Sequence, residues 1–212
     1  MMKRYLKFAV HILIGIWFSA VRADPAVDFF RAVQIDNERT VQSLLQAGFN
    51  PNTPNPQGQV GLFVAMREES VKVARALLAH PAIRVDATNA ANETPLMMAC
   101  LKGNIEAARE LLSRGAAVNR SGWTPLHYAA SGPSVALLEL LLGSGAEINA
   151  LSPNRTTPLM MAAGYGSPAA AEWLLGKGAD ARARNDKGLS AADFARTADR
   201  QELALRIDAV AR

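Results

Sequence analysis

The chain has 212 residues, half of them hydrophobic and a fifth charged, with 23 Lys and Arg against 19 Asp and Glu and a single cysteine. That length suits one domain, and a lone thiol excludes an internal disulfide framework. A surplus of four cations would suit a phosphate-rich partner only if those cations belonged to the folded part of the chain.

They do not belong to it. Lys3, Arg4 and Lys7 precede an apolar stretch from Phe8 to Ala20, broken only by His11 and Ser19, and Val21-Arg22-Ala23 offers small and aliphatic residues for a cut. This pattern predicts a cleavable signal peptide over residues 1–23, with cleavage after Ala23. A retained anchor is the alternative, but the stretch is shorter than the ~20 apolar residues that span a bilayer. Lys3, Arg4, Lys7 and Arg22 leave with this segment and no acid does, so 23 less 4 leaves 19 cations against 19 anions. With neither a basic field nor a basic stripe studded with aromatics, nucleic acid is not the expected partner. Export without disulfides fits a bacterial periplasm better than an animal extracellular space, so the expected location is periplasmic or secreted.

From residue 24 onward the chain repeats itself. Thr94-Pro95-Leu96, Thr124-Pro125-Leu126 and Thr157-Pro158-Leu159 are three clear copies, flanked by the degraded copies Val60-Gly61-Leu62 and Ser190-Ala191-Ala192; the starts lie 34, 30, 33 and 33 residues apart. A leucine pair begins 17 residues after each of the first four starts: Leu77-Leu78, Leu111-Leu112, Leu141-Leu142 and Leu174-Leu175. Two landmarks in constant phase mean stacked supersecondary units. Within a unit, Thr can cap a helix whose first position tolerates Pro. Gly103 stops that helix, Ile105 to Ser113 form a second helix with Ile105, Ala108, Leu111 and Leu112 on one face, and Gly115 closes it. Each unit is therefore two short antiparallel helices and a protruding turn.

The run Gly122-Trp123-Thr124-Pro125-Leu126-His127-Tyr128-Ala129-Ala130, followed by Leu141-Leu142-Gly143-Ser144-Gly145-Ala146, resembles the ankyrin repeat. The units from Thr94 and Thr157 are similar, with Met97 and Met160 at the His position, and the resemblance covers about residues 26–207. It implies an all-α solenoid of about six repeats, near 26–54, 55–88, 89–118, 119–151, 152–184 and 185–210. The first and last are degenerate caps, as solenoid ends with one neighbour each should be. Glu69 stands where the helix-ending Gly belongs, His80-Pro81 lengthens one turn, and the linker between Leu112 and Thr124 is three residues short, which predicts a blunted finger around Asn119 to Trp123.

In such a stack the first helices and the fingers line a concave face. The resemblance places contact positions four, seven and eight residues after the motif Thr and just before it. These are Arg67 and Glu68, then Met98, Leu101 and Lys102, then Tyr128, then Met161 and Tyr165, with Glu93, Trp123, Arg155 and Thr156 from the fingers. Met98, Leu101, Trp123, Tyr128, Met161 and Tyr165 would form an apolar strip of the kind that marks a partner site, unless Met98, Tyr128 and Met161 pack between helices instead. Trp123, Tyr128 and Tyr165 would be the anchors and Arg67, Lys102 and Arg155 the rim. Trp173 falls nearer the convex side.

Catalysis has little to stand on. The mature chain has two histidines. His80 is in a turn, and His127 is expected, from the resemblance, to bond the neighbouring turn. One cysteine and two distant histidines write no zinc site, and no phosphate loop or nucleophile elbow occurs. Glu68-Glu69 and Glu106-Glu110 are expected on solvated helix faces. The expectation is an exported, monomeric, non-catalytic protein without cofactor or metal, binding another protein as a periplasmic helper or an immunity-like inhibitor. A small-molecule enzyme or hydrolase with an unrecognised site in the groove is the alternative. Such motifs specify architecture and do not name the partner.

Overall fold

A computed structural model describes residues 24–212; the signal-peptide expectation for residues 1–23 lies outside the described residues. Twelve helices are described, in six consecutive pairs. They are α1 Pro25–Gln34 with α2 Glu38–Gln46, α3 Gly61–Arg67 with α4 Val71–Ala79, α5 Pro95–Leu101 with α6 Ile105–Ser113, α7 Pro125–Ser131 with α8 Val135–Gly143, α9 Pro158–Gly164 with α10 Pro168–Gly176, and α11 Ala191–Thr197 with α12 Gln201–Val210. The odd-numbered helices pack in one row and the even-numbered helices in a second row behind it. Among the described residues there is no strand, only an isolated antiparallel bridge between Pro54 and Val60. The all-α stack of six helix pairs agrees with the sequence reading.

Four of the odd helices, α5, α7, α9 and α11, begin in a common way. The residue at the third helical position reaches back to the backbone N–H of the capping residue. Met97 Sδ accepts from Thr94 N and Met160 Sδ from Thr157 N, both at 3.4 Å, His127 Nδ1 accepts from Thr124 N at 3.1 Å, and Asp193 Oδ2 from Ser190 N at 2.9 Å. Each arrangement is a capping box that satisfies otherwise orphaned amides. The stack core then fills from both rows. Leu77, Leu111, Leu141 and Leu174, the first leucines of the four pairs, are all wholly buried. Cys100 is wholly buried as well, and burial pushes its thiol pKa up.

Four fingers between pairs close with the same backbone bond, from Asn55 N to Gln59 O, Asn89 N to Glu93 O, Ser152 N to Thr156 O and Asn185 N to Leu189 O, at 2.9–3.1 Å. In three of them an Asn side chain organises the turn; Asn89 Oδ1, for example, accepts from Ala91 N and Glu93 N, both at 2.9 Å. The finger before Thr124 has no such bond among the described residues, as its missing residues predict. At Glu69 the helix-ending turn keeps its left-handed backbone (φ 58°) although the residue is not glycine.

Spacing between neighbouring odd helices is set partly by glycine. A Cβ on Gly166 would lie 2.0 Å from the Ala130 carbonyl oxygen, and one on Gly132 would lie 2.7 Å from that of Cys100. At both points the backbones of adjacent repeats meet without a side chain between them.

Candidate functional site

The concave face of repeats three to six holds two adjoining recesses. The first, about 400 Å³, is lined by Leu101, Tyr128, Met161 and Tyr165, with Trp123, His127 and Ser131 completing the wall. The second, about 510 Å³, lies beyond Trp123, Met161 and Tyr165, which it shares, and continues over Leu189 and Phe194 to Lys187. Trp123 projects from the shortened finger and stands between the two.

Most of the expected strip is present. Tyr165 is 66 % exposed, with its ring edge-on to Phe194 at 6.4 Å, and Leu101 is 37 % exposed. Trp123 is half-buried and packs edge-to-face on His127 at 5.2 Å. Met161 and Tyr128 are half-buried. Met98 is the correction. It is 4 % exposed and belongs to the core, so it offers no contact surface. The hydroxyl of Tyr128 reaches back across a repeat to Glu93 Oε1 at 2.8 Å, which leans the tyrosine toward the repeat that carries Met98. Trp173 lies on α10, in the back row, with Lys177 Nζ 5.3 Å from its ring.

Three polar side chains of the first recess, His127, Ser131 and Tyr128, are already engaged, while the Trp123 indole N–H and the Tyr165 hydroxyl make no hydrogen bond among the described residues. His127 Nδ1 accepts from Thr124 N, so its proton sits on Nε2, which donates to Thr156 O at 2.9 Å. Burial lowers the pKa of this imidazole, more than the carbonyl bonds of Thr156 and Ala150 raise it, and the ring is held neutral. Ser131 Oγ donates to His127 O at 3.0 Å. Burial, and then the bond to and the charge of Glu93, push the Tyr128 phenol up. The recess therefore offers mostly ring faces and aliphatic side chains, with the Trp123 indole N–H and the Tyr165 hydroxyl as its open polar groups.

The expected rim residues divide. Arg67 pairs with Glu68 at 2.8 Å and donates to Gln59 Oε1 at 3.0 Å, and Lys102 lies 3.4 Å from Glu69. Arg155 is exposed at a finger tip with φ 60°, and among the described residues it has no ion-pair partner. Thr156 is buried. Phe194, Thr197 and Ala198 of the last repeat line the second recess and were not foreseen. They follow Ser190 by four, seven and eight residues, so the offsets used for the other repeats point to them. Reading that repeat only as a cap hid them. Among the described residues, no group of three or more His, Cys, Asp or Glu side chains could hold a metal ion, and no helix is long and apolar enough to cross a membrane.

A family model for ankyrin repeats, three copies in length, matches over residues 29–121, 83–152, 116–185 and 132–205. The chain belongs to the ankyrin-repeat family. Among curated proteins, this ankyrin-repeat chain is 33 % identical over 119 residues to the human transient receptor potential cation channel subfamily A member 1, covering 55 % of this chain and 11 % of the channel. It is 37 % identical over 100 residues to the glycerophosphocholine phosphodiesterase gde1 of Schizosaccharomyces pombe, covering 44 % and 8 %. The chain spans about a tenth of the length of these relatives, so what is shared is a run of repeats within much larger proteins. Among solved structures, the chain superimposes with a TM-score of 0.74 and 26 % identity on a chain in the complex of the Bdellovibrio bacteriovorus predatory endopeptidase Bd0816 with immunity protein Bd3460. That match covers 86 % of this chain and 97 % of the other. The ankyrin-repeat domain of Bcl-3, a member of the IkappaB protein family, gives 0.66 and 28 %, covering 84 % and 81 %.

Proposed function

We propose that this ankyrin-repeat protein is an exported, non-catalytic inhibitor of the immunity type. It holds a partner protein, of the class of an exported hydrolase, in its concave face and occludes that partner's working surface. The observation that carries the binding reading is the pair of apolar recesses around Trp123 and Tyr165. Exposed large aromatic rings in a concave, preformed surface are what interface anchors consist of, and a rigid stack avoids ordering cost on association. The hydrolase class draws support from the likeness to a chain in the endopeptidase–immunity protein complex, which extends over nearly the whole of that chain. The basic, apolar N-terminal segment supports export. A hydrolytic role for the groove itself is disfavoured because the imidazole lining it is committed at both nitrogens.

The test is binding to the natural partner by calorimetry with Trp123→Ala and Tyr165→Ala. Each should weaken binding by about 2 kcal/mol, near thirtyfold, while helical signal and Tm stay at wild-type values. Affinity unchanged in both variants places the contact elsewhere.

A further inference from the structure

Resting on the concave-face reading, we infer that the occupant of the groove is a protruding loop carrying one large apolar side chain, aromatic or branched aliphatic, flanked by carboxylates. The apolar part follows from the first recess. Its volume of about 400 Å³ is at the small end for a binding pocket. His127, Ser131 and Tyr128 spend their polar atoms on Thr124, Thr156, the His127 carbonyl and Glu93. A polar side chain inserted there would leave its water behind and could pair only with the Trp123 indole N–H or the Tyr165 hydroxyl, which is costly for a group that needs more partners. A ring or an isobutyl group would instead lie against the aromatic and aliphatic walls.

The acidic flanks follow from charge. Among the described residues, no carboxylate lines either recess, and the one charged side chain that does is Lys187. Arg155 stands at a finger tip between Asn154 and Thr156, both of which line the second recess. Arg120, on the short finger that ends in Trp123, donates to Asn92 Oδ1 at 3.0 Å and has no carboxylate partner among the described residues. By contrast, the rim at the other end of the groove is neutralised within itself, Arg67 by Glu68 and Lys102 by Glu69. Of the cations named around the groove, Arg120, Arg155 and Lys187 thus have no carboxylate partner among the described residues. They stand on the finger side of repeats four to six beside the apolar recesses, with the exposed Asp186 next to Lys187 in the chain. Complementary charge there would steer a loop and set its direction along the groove.

The test is a library of eight-residue loops displayed on a rigid scaffold and selected against the full exported chain. Selected loops are measured as soluble scaffold proteins against wild type, Tyr165→Ala, Trp123→Ala and the double variant Arg155→Glu/Lys187→Glu, all changes at exposed positions except that at the half-buried Trp123. The expected result is enrichment of Phe, Trp or Leu with Asp or Glu within three positions. Affinity should fall about thirtyfold in Tyr165→Ala, fall about tenfold in the charge-reversed variant, and weaken with salt. Basic or uncharged winners, or winners that tolerate charge reversal yet still need Tyr165, overturn the acidic-loop inference and leave the concave-face reading standing. Winners indifferent to both Tyr165→Ala and Trp123→Ala overturn that reading as well. A selection that enriches nothing over the bare scaffold overturns the inference. So does self-association of the chain that Tyr165→Ala abolishes, because the occupant would then be a second copy.

Discussion

Replacing His127 by Met isolates the one bond, among the described residues, by which a third-position side chain ties its repeat to the next. The family's own variation within this chain makes Met the right probe, since Met97 and Met160 hold the equivalent position and satisfy the capping N–H through sulfur. In His127→Met the sulfur should take over from Nδ1 at Thr124 N, so the cap persists. What disappears is the Nε2–H bond to Thr156 O, because a thioether has no proton to donate. Thr156 O still accepts from Ser152 N at 3.0 Å, so no carbonyl is orphaned. The expected cost is that of one neutral hydrogen bond, about 1 kcal/mol, or a Tm lower by ~2–4 °C for a domain of this size. The effect also depends on pH in a defined direction. Burial lowers the pKa of His127 in the folded state below its ordinary value of 6.5, so the unfolded chain takes up the proton first as pH falls. The neutral imidazole's contribution is complete above that ordinary value and is lost as pH falls through it toward the folded pKa. Urea unfolding followed by circular dichroism at pH 7.5, 6.5 and 5.5 should therefore show wild type ahead of His127→Met at neutral pH, with the gap closing on acidification. His80 is common to both proteins and cancels. A gap that stays constant across this range, or widens toward acid, would refute the account of a neutral, doubly bonded imidazole.

The glycine contacts make a sharper stability claim. In Gly166→Ala the new methyl meets backbone at Ala130 O, 2.0 Å away, and the repeats must move apart, at a cost of about 3 kcal/mol and a Tm drop of ~6–12 °C. Gly176→Ala has nothing within 4 Å and should raise stability by ~0.5–1 kcal/mol through helix propensity. Equal effects of the two substitutions would contradict the close approach. Glu69→Gly should stabilise by about 1 kcal/mol, because a non-glycine residue there holds φ 58° and the Lys102 pair it forfeits is exposed and weak; a lower Tm would mean that the pair outweighs the backbone relief. For export, mass spectrometry of the protein recovered from the envelope fraction should find Asp24 at the N-terminus, and an intact residue 1 would instead indicate a retained anchor.

The helices were legible because their boundaries are written in local chemistry. A Thr before a Pro can cap and start a helix whatever lies elsewhere in the chain, and the paired leucines keep phase because each must meet its counterpart in the next repeat. The shortened finger was legible for the same reason, since three missing residues remove the turn that the other fingers close. Contact positions were legible as positions and not as exposed surface. Met98 and Met161 sit in the same local sequence, Thr-Pro-Leu-Met-Met-Ala, yet Met98 is 4 % exposed and Met161 half-buried at the edge of both recesses. The difference lies in the following repeat. Met98 is followed in the row by Tyr128, whose hydroxyl is drawn back to Glu93. Met161 is followed by Phe194, which has no hydroxyl to be drawn back and lines the far side of the open second recess. A rule counted from the motif Thr fixes which residues face the groove, including Phe194 four places after Ser190. Which of them stays open depends on the side chain one repeat further on, so the surface of a stacked protein has to be read in neighbouring pairs of repeats.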